Sequence, residues 1–316
     1  MARFPTTVLE FQRLFPDDDA CWQYLVATRW PDGNIVCPDC GEKALYFIEN
    51  DRLWECPNRH HFSVTNGTVM HRSHVSLLKW FWAAYLVTTQ TPGISAMVLH
   101  RQLGVCYETA YMILQRLRAS MVNPERGRLS GVVEVDEGYV SAGHVREART
   151  GRGSGKPIVV AAVEVRGRAA GRVRLRLVED VSAKTLIGFV RAYVEEGSTV
   201  RTDGWAAYAS LSRTGYRHVV VEGEDAIEVA ENLPHIHRAF SNLKAWLIGT
   251  HHGVSSKHLQ AYLNEFVFRY NRRGNPQAAF LAVLQIATEV EGPEYAELYA
   301  AGEEGGWVHR NPRSGR

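Results

Sequence analysis

The sequence predicts an α/β protein in which a mixed-sheet core follows a small cysteine-bearing ribbon and an all-α domain. Three observations predict this fold class. Short β-type runs and turn residues surround three cysteines between residues 31 and 70. Helical periodicity dominates residues 76–122. After residue 129, three strand patterns are followed by alternating helix and strand patterns, which is typical of a mixed sheet covered by helices.

Composition and charge narrow the class of protein. The chain has 316 residues, 45% hydrophobic and 22% charged, so it can form two or three domains with a sizeable core. Its net charge of +2 is the sum of separate blocks, with basic residues crowded at 101–128 and 146–174. Such blocks are most often solvated faces, but a basic half of the protein can also steer phosphate. The most apolar window, residues 77–87, is about half the length of a membrane helix. Because we also find no secretory signal, we expect a cytoplasmic protein.

The first 30 residues are predicted to form short helices. The second helix begins at Asp17–Asp19, whose carboxylates suit a helix N-terminus. Cys21 on this helix and Cys106 further along the chain are predicted to be packing residues.

A metal site is predicted from the spacing of Cys37, Cys40 and Cys56. Zinc takes four tetrahedral sulfur or nitrogen ligands, and a C-x-x-C pair supplies two of them from one tight turn. No second C-x-x-C follows, so the fourth ligand is His60 or His61, and we prefer His60. The alternative is that these are small buried residues of a compact hairpin. We favour Zn²⁺ because a segment so short and so poor in large apolar residues would struggle to fold without metal.

Two helical patterns joined at Gly104 predict a helix-turn-helix. Glycine permits the left-handed turn that swings the second helix across the first. Helical hairpins that bind nothing show the same pattern. The predicted core residues are Ile94, Val98, Leu99, Leu103, Ala110, Ile113, Leu114 and Leu117. The outer face of the second helix carries the predicted DNA contacts Tyr107, Tyr111, Gln115, Arg116 and Arg118.

Carboxylates stand where buried strands are predicted. Asp136 lies within GVVEVDEGYV, and Asp203 lies at the end of STVRTDG. If these strands are neighbours, both carboxylates face one point and can hold one or two divalent ions, for which oxygen ligands favour Mg²⁺ or Mn²⁺. A satisfied structural ion pair is the alternative. Glu134 shares a face with Asp136 and is expected to support the site, whereas Glu137 on the opposite face needs only a structural role.

A third ligand is expected from the following helix, HIHRAFSNLKAWLIGTHH. No acid lies at the expected place, and the candidates are His237 and Asn242. Lys244 lies two helical turns after His237, so the two side chains share a face and the lysine could contact DNA phosphate. Alternatively, the histidines of this segment only cap or line a surface helix.

The chain resembles bacterial insertion-sequence transposases of the ISXO-like group. The resemblance covers nearly the whole chain and is carried by CPDC, HFSVTNGTVMHRSHVSLLKWFWAAYL, VVEVDEGYV, RTDGWAAY and SNLKAWLIGTHHGVSSKHLQAYLNEFVFRYNRR. It implies a DDE-type core of RNase H-like fold, in which Asp136 and Asp203 are the first two catalytic acids. The family's third position precedes a lysine by seven residues, so it falls on His237, with Lys244 as that lysine. An imidazole adds no negative charge, so we expect weaker metal binding than with Glu. Asn242 is the second choice.

Further DNA contacts are expected in two segments. Arg269, Arg272 and Arg273 belong to the block that resembles the family signature, although Arg269 is also spaced for an ordinary i,i+4 ion pair with Glu265. The linker at 142–156 lacks the strand and spacing of a phosphate-binding loop. We interpret it as a basic hairpin that touches the DNA backbone, with Arg152 and Lys156 as its contacts.

These interpretations give five segments and one preferred function. The segments are a helical segment at 1–30, a zinc ribbon at 31–70, a helix-turn-helix domain at 71–125, an RNase H-like catalytic domain at 129–290 and a tail at 291–316. We expect a DNA transposase that binds inverted-repeat ends and target DNA as a homo-oligomer at the nucleoid, with Mg²⁺ or Mn²⁺ in its catalytic site. The alternatives are a non-catalytic DNA-binding regulator, a degenerate transposase, and a repair or RNase H-type nuclease.

Overall fold

The computed structural model describes residues 5–43, 45–122, 126–140, 156–221 and 232–299. Arg152 and the tail beyond residue 299 lie outside these residues. The helices are α1 Val8–Leu14, α2 Asp18–Arg29, α3 Leu77–Thr89, α4 Ala96–Leu103, α5 Tyr107–Ala119, α6 Ala183–Tyr193, α7 Pro234–His251, α8 Ser256–Asn271, α9 Pro276–Glu289 and α10 Tyr295–Tyr299. The strands are β1 Tyr46–Ile48, β2 Leu53–Glu55, β3 His61–Phe62, β4 Val132–Tyr139, β5 Ile158–Arg166, β6 Ala169–Val178, β7 Thr199–Thr202 and β8 Arg217–Val220. In the described ranges, every helix is too short or too polar to cross a membrane.

Two compact units make up the chain. Residues 1–123 and 274–316 contribute to the first unit, and residues 124–273 form the second. Helix α9, which the sequence analysis placed in the catalytic domain, therefore lies in the first unit.

Aromatic packing explains the position of α9. The ring of Phe280 on α9 lies 5.6 Å from that of Phe11 on α1, 6.3 Å from Phe81 and 5.7 Å from Tyr85 on α3, measured between centroids. Such pairs stabilise beyond the area that they bury. Apolar periodicity predicts that α9 is a helix but does not identify the helices that cover it.

The ribbon of β1, β2 and β3 is antiparallel and is joined to α2 by tryptophans. Trp54 of β2 stacks on Trp22 of α2 at 5.8 Å between ring centroids and meets Trp30 at 5.2 Å. The predicted helix start is also confirmed, because the side chain of Asp17 accepts a hydrogen bond from the amide of Ala20 at 2.9 Å.

The second unit contains a five-stranded mixed sheet in the order β6-β5-β4-β7-β8. Strands β4, β5 and β6 pair antiparallel, whereas β7 runs parallel to β4 and β8 runs parallel to β7. Three antiparallel strands followed by two parallel ones is the RNase H-like arrangement, so the predicted fold class is confirmed. One element differs, since WAAYASLS forms two short 3-10 turns, Ala206–Tyr208 and Leu211–Arg213, where we expected an α-helix.

The two faces of this sheet are covered by different elements. Val133 and Val135 of β4 pack with α6 and the 3-10 turns, and Val140 packs with α7 and α8. Side chains alternate along a strand. Glu134 and Asp136 therefore face α7.

Candidate active site and zinc ribbon

Asp136 and Asp203 lie at the same level on one face of the sheet. Strands β4 and β7 are parallel neighbours in which Glu134 pairs with Arg201. Each aspartate lies two residues beyond that pair, Asp136 within β4 and Asp203 directly after the end of β7, so the two carboxylates lie side by side at one height and the charge of Asp203 acts on Asp136. The backbone amide of Trp205 donates to Oδ1 of Asp203 at 3.2 Å. The structure thus brings together the two carboxylates that the sequence predicted.

Asp136 has a strongly perturbed pKa. Burial, then the neighbouring charges of Glu137 and Asp203, raise its pKa to about 7. The amide of Glu137, which donates to Asp136 Oδ1 at 2.8 Å, and the ammonium of Lys244 act in the opposite direction without offsetting this. Negative charge therefore exceeds positive charge at this point, and the donor set fits a divalent cation.

His237 on α7 lies close to the carboxylate of Asp136. Its Nε2 lies 3.9 Å from Oδ2 of Asp136. Burial and Lys244 lower the pKa of this imidazole, although Glu134 and Asp203 act in the opposite direction. Because a neutral imidazole is the form that binds metal, His237 is suited to be a ligand at neutral pH.

Helix geometry favours His237 over Asn242 as the third ligand. At about 100° per residue, Lys244 lies about 20° around the helix from His237, whereas Asn242 lies about 140° away. Lys244 is also exposed, as a phosphate-binding side chain must be.

Helix α7 lies very close to strand β4. A Cβ atom added to Gly138 would lie 2.9 Å from Cε1 of Phe240 on α7. At the start of the helix, Oε2 of Glu134 accepts hydrogen bonds from the amides of His235 and Ile236, both at 2.9 Å. The sequence analysis missed this anchoring, because nothing local in either segment indicates that they meet.

Glu137 has a structural hydrogen-bond partner, as the sequence analysis expected. On the opposite face of the sheet, the buried hydroxyl of Tyr208 donates to its Oε2 at 3.0 Å. Burial, followed by the nearby carboxylates, raises the pKa of Tyr208 well above its usual value, so the phenol stays protonated as a donor. Glu137 nevertheless contributes to the raised pKa of Asp136.

The structure also brings the predicted zinc ligands together. The ligand atoms of Cys37, Cys40, Cys56 and His60 all lie within 4.8 Å of one another. Nδ1 of His60 lies 3.7 Å from Sγ of Cys37 and 3.5 Å from Sγ of Cys56, and the sulfurs of Cys40 and Cys56 are 3.6 Å apart. Tetrahedral zinc with usual bond lengths separates neighbouring ligands by about 3.5–3.8 Å. The alternative ligand, His61, is exposed and pairs with Glu55 at 3.4 Å.

The helix-turn-helix forms as predicted around Gly104. This glycine ends α4 in the left-handed conformation with φ of 60°. The predicted core is buried with two exceptions, since Leu103 is half-buried and Val98 is 40% exposed. Cys106, expected to pack, is exposed at the start of α5.

Three of the predicted DNA contacts on α5 need correction. Gln115 and Arg118 are buried, with 3% and 1% of their surfaces exposed. Arg116 donates from Nε to the carbonyl of Pro293 and from Nη1 to that of His71 at 2.7 Å. The C-terminal half of α5 is therefore internal, and only its first turns, with exposed Tyr107 and half-buried Tyr111, present a surface.

Replacing Arg116 by methionine tests this correction. We expect a loss of about 2 kcal/mol in the free energy of unfolding, because buried carbonyls lose a charged donor. The slope of DNA affinity against log salt should not change, since no phosphate contact is lost. Urea unfolding and salt-dependent binding measure the two effects. The exposed Arg101 on α4 is the control, because Arg101→Met should leave stability unchanged; a shallower salt slope in Arg116→Met with stability intact would contradict the structural role.

The three arginines after α7 that were expected to contact DNA also interact with other groups of the protein. Nη1 of Arg269 lies 3.8 Å from Oε1 of buried Glu265, so this arginine forms the ion pair that was the alternative reading. Arg272 lies over the ring of Phe268 at 3.9 Å. Arg273 donates to the carbonyls of Tyr270, Gly171 and Ala170. DNA contacts by Arg272, Arg273 and the half-buried Lys156 remain predictions.

Comparisons with known proteins agree with this architecture. Residues 128–271 match the family model of the ISXO2-like transposase domain, and residues 16–58 match that of a transposase zinc-ribbon domain. A relative from Halobacterium salinarum, an uncharacterized protein in transposable element ISH50, is 28% identical over an alignment of 267 residues, and the match covers 78% of this chain and 88% of the relative.

Two solved structures are similar in part. The catalytic core domain of BIV integrase has 14% identity and a TM-score of 0.30, and the match covers 44% of this chain and 81% of that one. The Mos1 transposase paired-end complex with left transposon end has 11% identity and a TM-score of 0.26, with coverage of 66% and 78%. These values are low, and the fold assignment rests on the strand order given above.

The two domain matches define a transposase of the kind encoded by insertion sequences. Together with the ISH50 relative, these matches support an insertion-sequence transposase with an N-terminal zinc ribbon and an ISXO2-like transposase domain.

Proposed function

We propose that the protein is an active DNA transposase that cleaves DNA at the ends of its element and joins them to target DNA. One observation carries the proposal. Asp136 on β4 and Asp203, directly after the end of the parallel neighbour β7, lie at one height, and the imidazole of His237 lies 3.9 Å from Asp136. The sequence leads us to expect this convergence if the two strands are neighbours, and a merely structural role would not require it.

The chemistry of the site suits a divalent cation. Two carboxylates and an imidazole are ligands for Mg²⁺ or Mn²⁺, which when bound would polarise a phosphodiester and activate water or a 3′ hydroxyl. Asp136 must lose its proton to bind, so occupancy should increase as pH rises through about 7. Lys244, on the same flank of α7 as His237, would hold the DNA phosphate through its ammonium group.

The first unit supplies DNA recognition in this proposal. Zn²⁺ held by Cys37, Cys40, Cys56 and His60 would order the ribbon, and the exposed first turn of α5 at Tyr107 would reach the inverted-repeat ends. Joining two ends requires that they be paired, so the protein would act as a homo-oligomer on DNA. Its chromosomal substrate would place this action in the cytoplasm, at the nucleoid.

A cleavage and binding assay tests the proposal. A plasmid carrying both element ends is incubated with wild type in Mg²⁺, in Mn²⁺ or in EDTA, and cleaved and joined products are separated by electrophoresis. We expect products only with metal. Asp203→Asn should abolish them while leaving the gel shift of labelled ends unchanged.

Two other results would replace the proposal. Binding of the ends without metal-dependent cleavage would indicate a non-catalytic DNA-binding regulator. That alternative is favoured by the presence of His237 where the family usually has an acidic residue. Cleavage without preference for the element ends would indicate a general nuclease.

A further inference from the structure

A second carboxylate of β4, that of Glu134, is buried next to the site and binds the start of α7. The side chain of Glu134 is fully buried, with 0% of its surface exposed. Its Oε2 accepts hydrogen bonds from the backbone amides of His235 and Ile236, each at 2.9 Å. These amides belong to the first turn of α7, where the helix dipole favours a negative charge. A buried carboxylate thus holds the start of the helix that carries His237 and Lys244.

Arg201 links the same carboxylate to the third element of the site. Its Nη1 lies 3.9 Å from Oε1 of Glu134, and its Nη2 donates to the carbonyl of Asn232, just before α7, at 2.9 Å. Arg201 pairs with Glu134 across β4 and β7, two residues before Asp203. Glu134 is therefore in direct contact with α7 and with β7, and it belongs to β4.

We propose that Glu134 is a positioning residue that sets the distance between His237 and the two aspartates by fixing the start of α7 against β4 and β7. This inference rests on the proposed function of the site. Glu134 holds α7 through hydrogen bonds from the backbone amides of that helix and contacts no reacting atom.

The register of α7 explains why this anchor reaches the site. His237 directly follows His235 and Ile236, whose amides donate hydrogen bonds to Glu134. The amide of His237 itself lies 3.4 Å from the carbonyl of Leu233 in the same turn. One turn further on, Phe240 lies against Gly138, so the helix cannot move closer to the strand there. Loss of the anchor therefore lets the first turn move away, and a displacement of about 1 Å in a catalytic group can lower a rate about 100-fold.

Three variants test the role. Glu134→Ala removes the anchor, whereas Glu134→Gln keeps an oxygen that can accept both amide hydrogen bonds. The matched control is Glu265→Gln, which alters an equally buried carboxylate paired with Arg269 on α8. The readouts are hydrogen exchange of the amides at 235–237, Mn²⁺ binding by electron paramagnetic resonance, and kcat and KM for cleavage of labelled ends.

In Glu134→Ala we expect exchange at His235, Ile236 and His237 to accelerate at least 10-fold, Mn²⁺ affinity to fall at least 10-fold, and kcat to fall about 100-fold with KM for DNA unchanged. Glu134→Gln should recover most of each loss, and Glu265→Gln should resemble wild type. Should Glu134→Ala not fold, the comparison of the two glutamine variants decides, since only Glu134→Gln should show a measurable fall in kcat.

Other outcomes overturn the inference. If exchange accelerates at His235 and Ile236 but Mn²⁺ affinity and kcat stay at wild-type values, Glu134 is a helix cap alone. If wild type itself neither binds Mn²⁺ nor cleaves, the proposed function has failed, and exchange at His237 still decides whether Glu134 fixes that residue. Unchanged exchange at His237 then rejects the positioning role.

Discussion

Replacing Asp136 by asparagine should abolish metal-dependent cleavage and, at the same time, stabilise the metal-free protein at pH 8. The pKa of this carboxyl is raised to about 7 by burial and by the charges of Glu137 and Asp203. In the unfolded chain the pKa of aspartate is about 3.9. Ionisation of this carboxyl at pH 8 therefore destabilises the folded protein relative to the unfolded chain, and asparagine, which does not ionise, removes that destabilisation.

The sign of the pH dependence follows from these pKa values. A group whose pKa is raised by folding contributes stability that is fully present below its unfolded pKa and is lost as pH rises through its folded pKa. The variant should therefore match wild type near pH 4 and exceed it increasingly up to about pH 8. The shift of about three pKa units sets an upper limit of about 4 kcal/mol, and we expect about 1–3 kcal/mol after relaxation of the site.

Urea unfolding in EDTA at several pH values measures this difference, and addition of Mn²⁺ should restore stability to wild type only. Asp180→Asn is the control of opposite sign. The exposed carboxylate of Asp180 accepts hydrogen bonds from Thr185 and Ser182, and these lower its pKa to about 2, so its loss should destabilise the protein at pH 8. An Asp136→Asn protein that is less stable than wild type at pH 8 would show that the carboxylate is a structural partner instead.

Removal of zinc should unfold the ribbon. Its three strands contain only three, three and two residues, so the strands alone supply little stability. Structural zinc contributes about 10–16 kcal/mol of apparent binding free energy to small domains of this kind. Chelation should expose Trp54 to solvent, which tryptophan fluorescence detects, and should end binding to the element ends.

Two adjacent histidines provide a matched test of the ligand set. His60→Ala should lose about one Zn²⁺ per chain by elemental analysis and should reproduce the fluorescence of the chelated protein. His61→Ala should keep its zinc, because His61 is exposed and pairs with Glu55. Retention of zinc by His60→Ala together with its loss from His61→Ala would reverse the assignment.

Local patterns predicted those features whose causes are local. The β-branched run around Asp136 predicted β4, the carboxylate of Asp17 predicted the start of α2, and Gly104 predicted the turn after α4. The two candidate carboxylates were predicted because Asp136 lies within one recognisable strand and Asp203 directly follows another. Their convergence required only that the strands be neighbours.

Features set by tertiary packing were not predicted. Helical periodicity placed Arg116 and Arg118 on the outer face of α5, but the segments around His71 and Pro293 cover that part of the helix. The anchoring of α7 by Glu134 joins residues about one hundred positions apart, and no pattern within either segment records it.

The short segment after Asp203 shows a related limit. Its composition suits a helix, yet Tyr208 must reach both Glu137 and the core beneath β4. Two 3-10 turns achieve this where an α-helix was expected. Tertiary contacts that local composition does not record accompany this departure from the expected helix.

The most direct test of the site is metal-dependent nicking of a labelled duplex that carries the element's end, with wild type, His237→Ala and Asn242→Ala compared in Mn²⁺. Wild type and Asn242→Ala should nick the end, and His237→Ala should be slower by at least about 100-fold while binding the same DNA. Nicking that survives in His237→Ala but is lost in Asn242→Ala, or wild type that binds the end without nicking it, would contradict a catalytic centre formed by Asp136, Asp203 and His237.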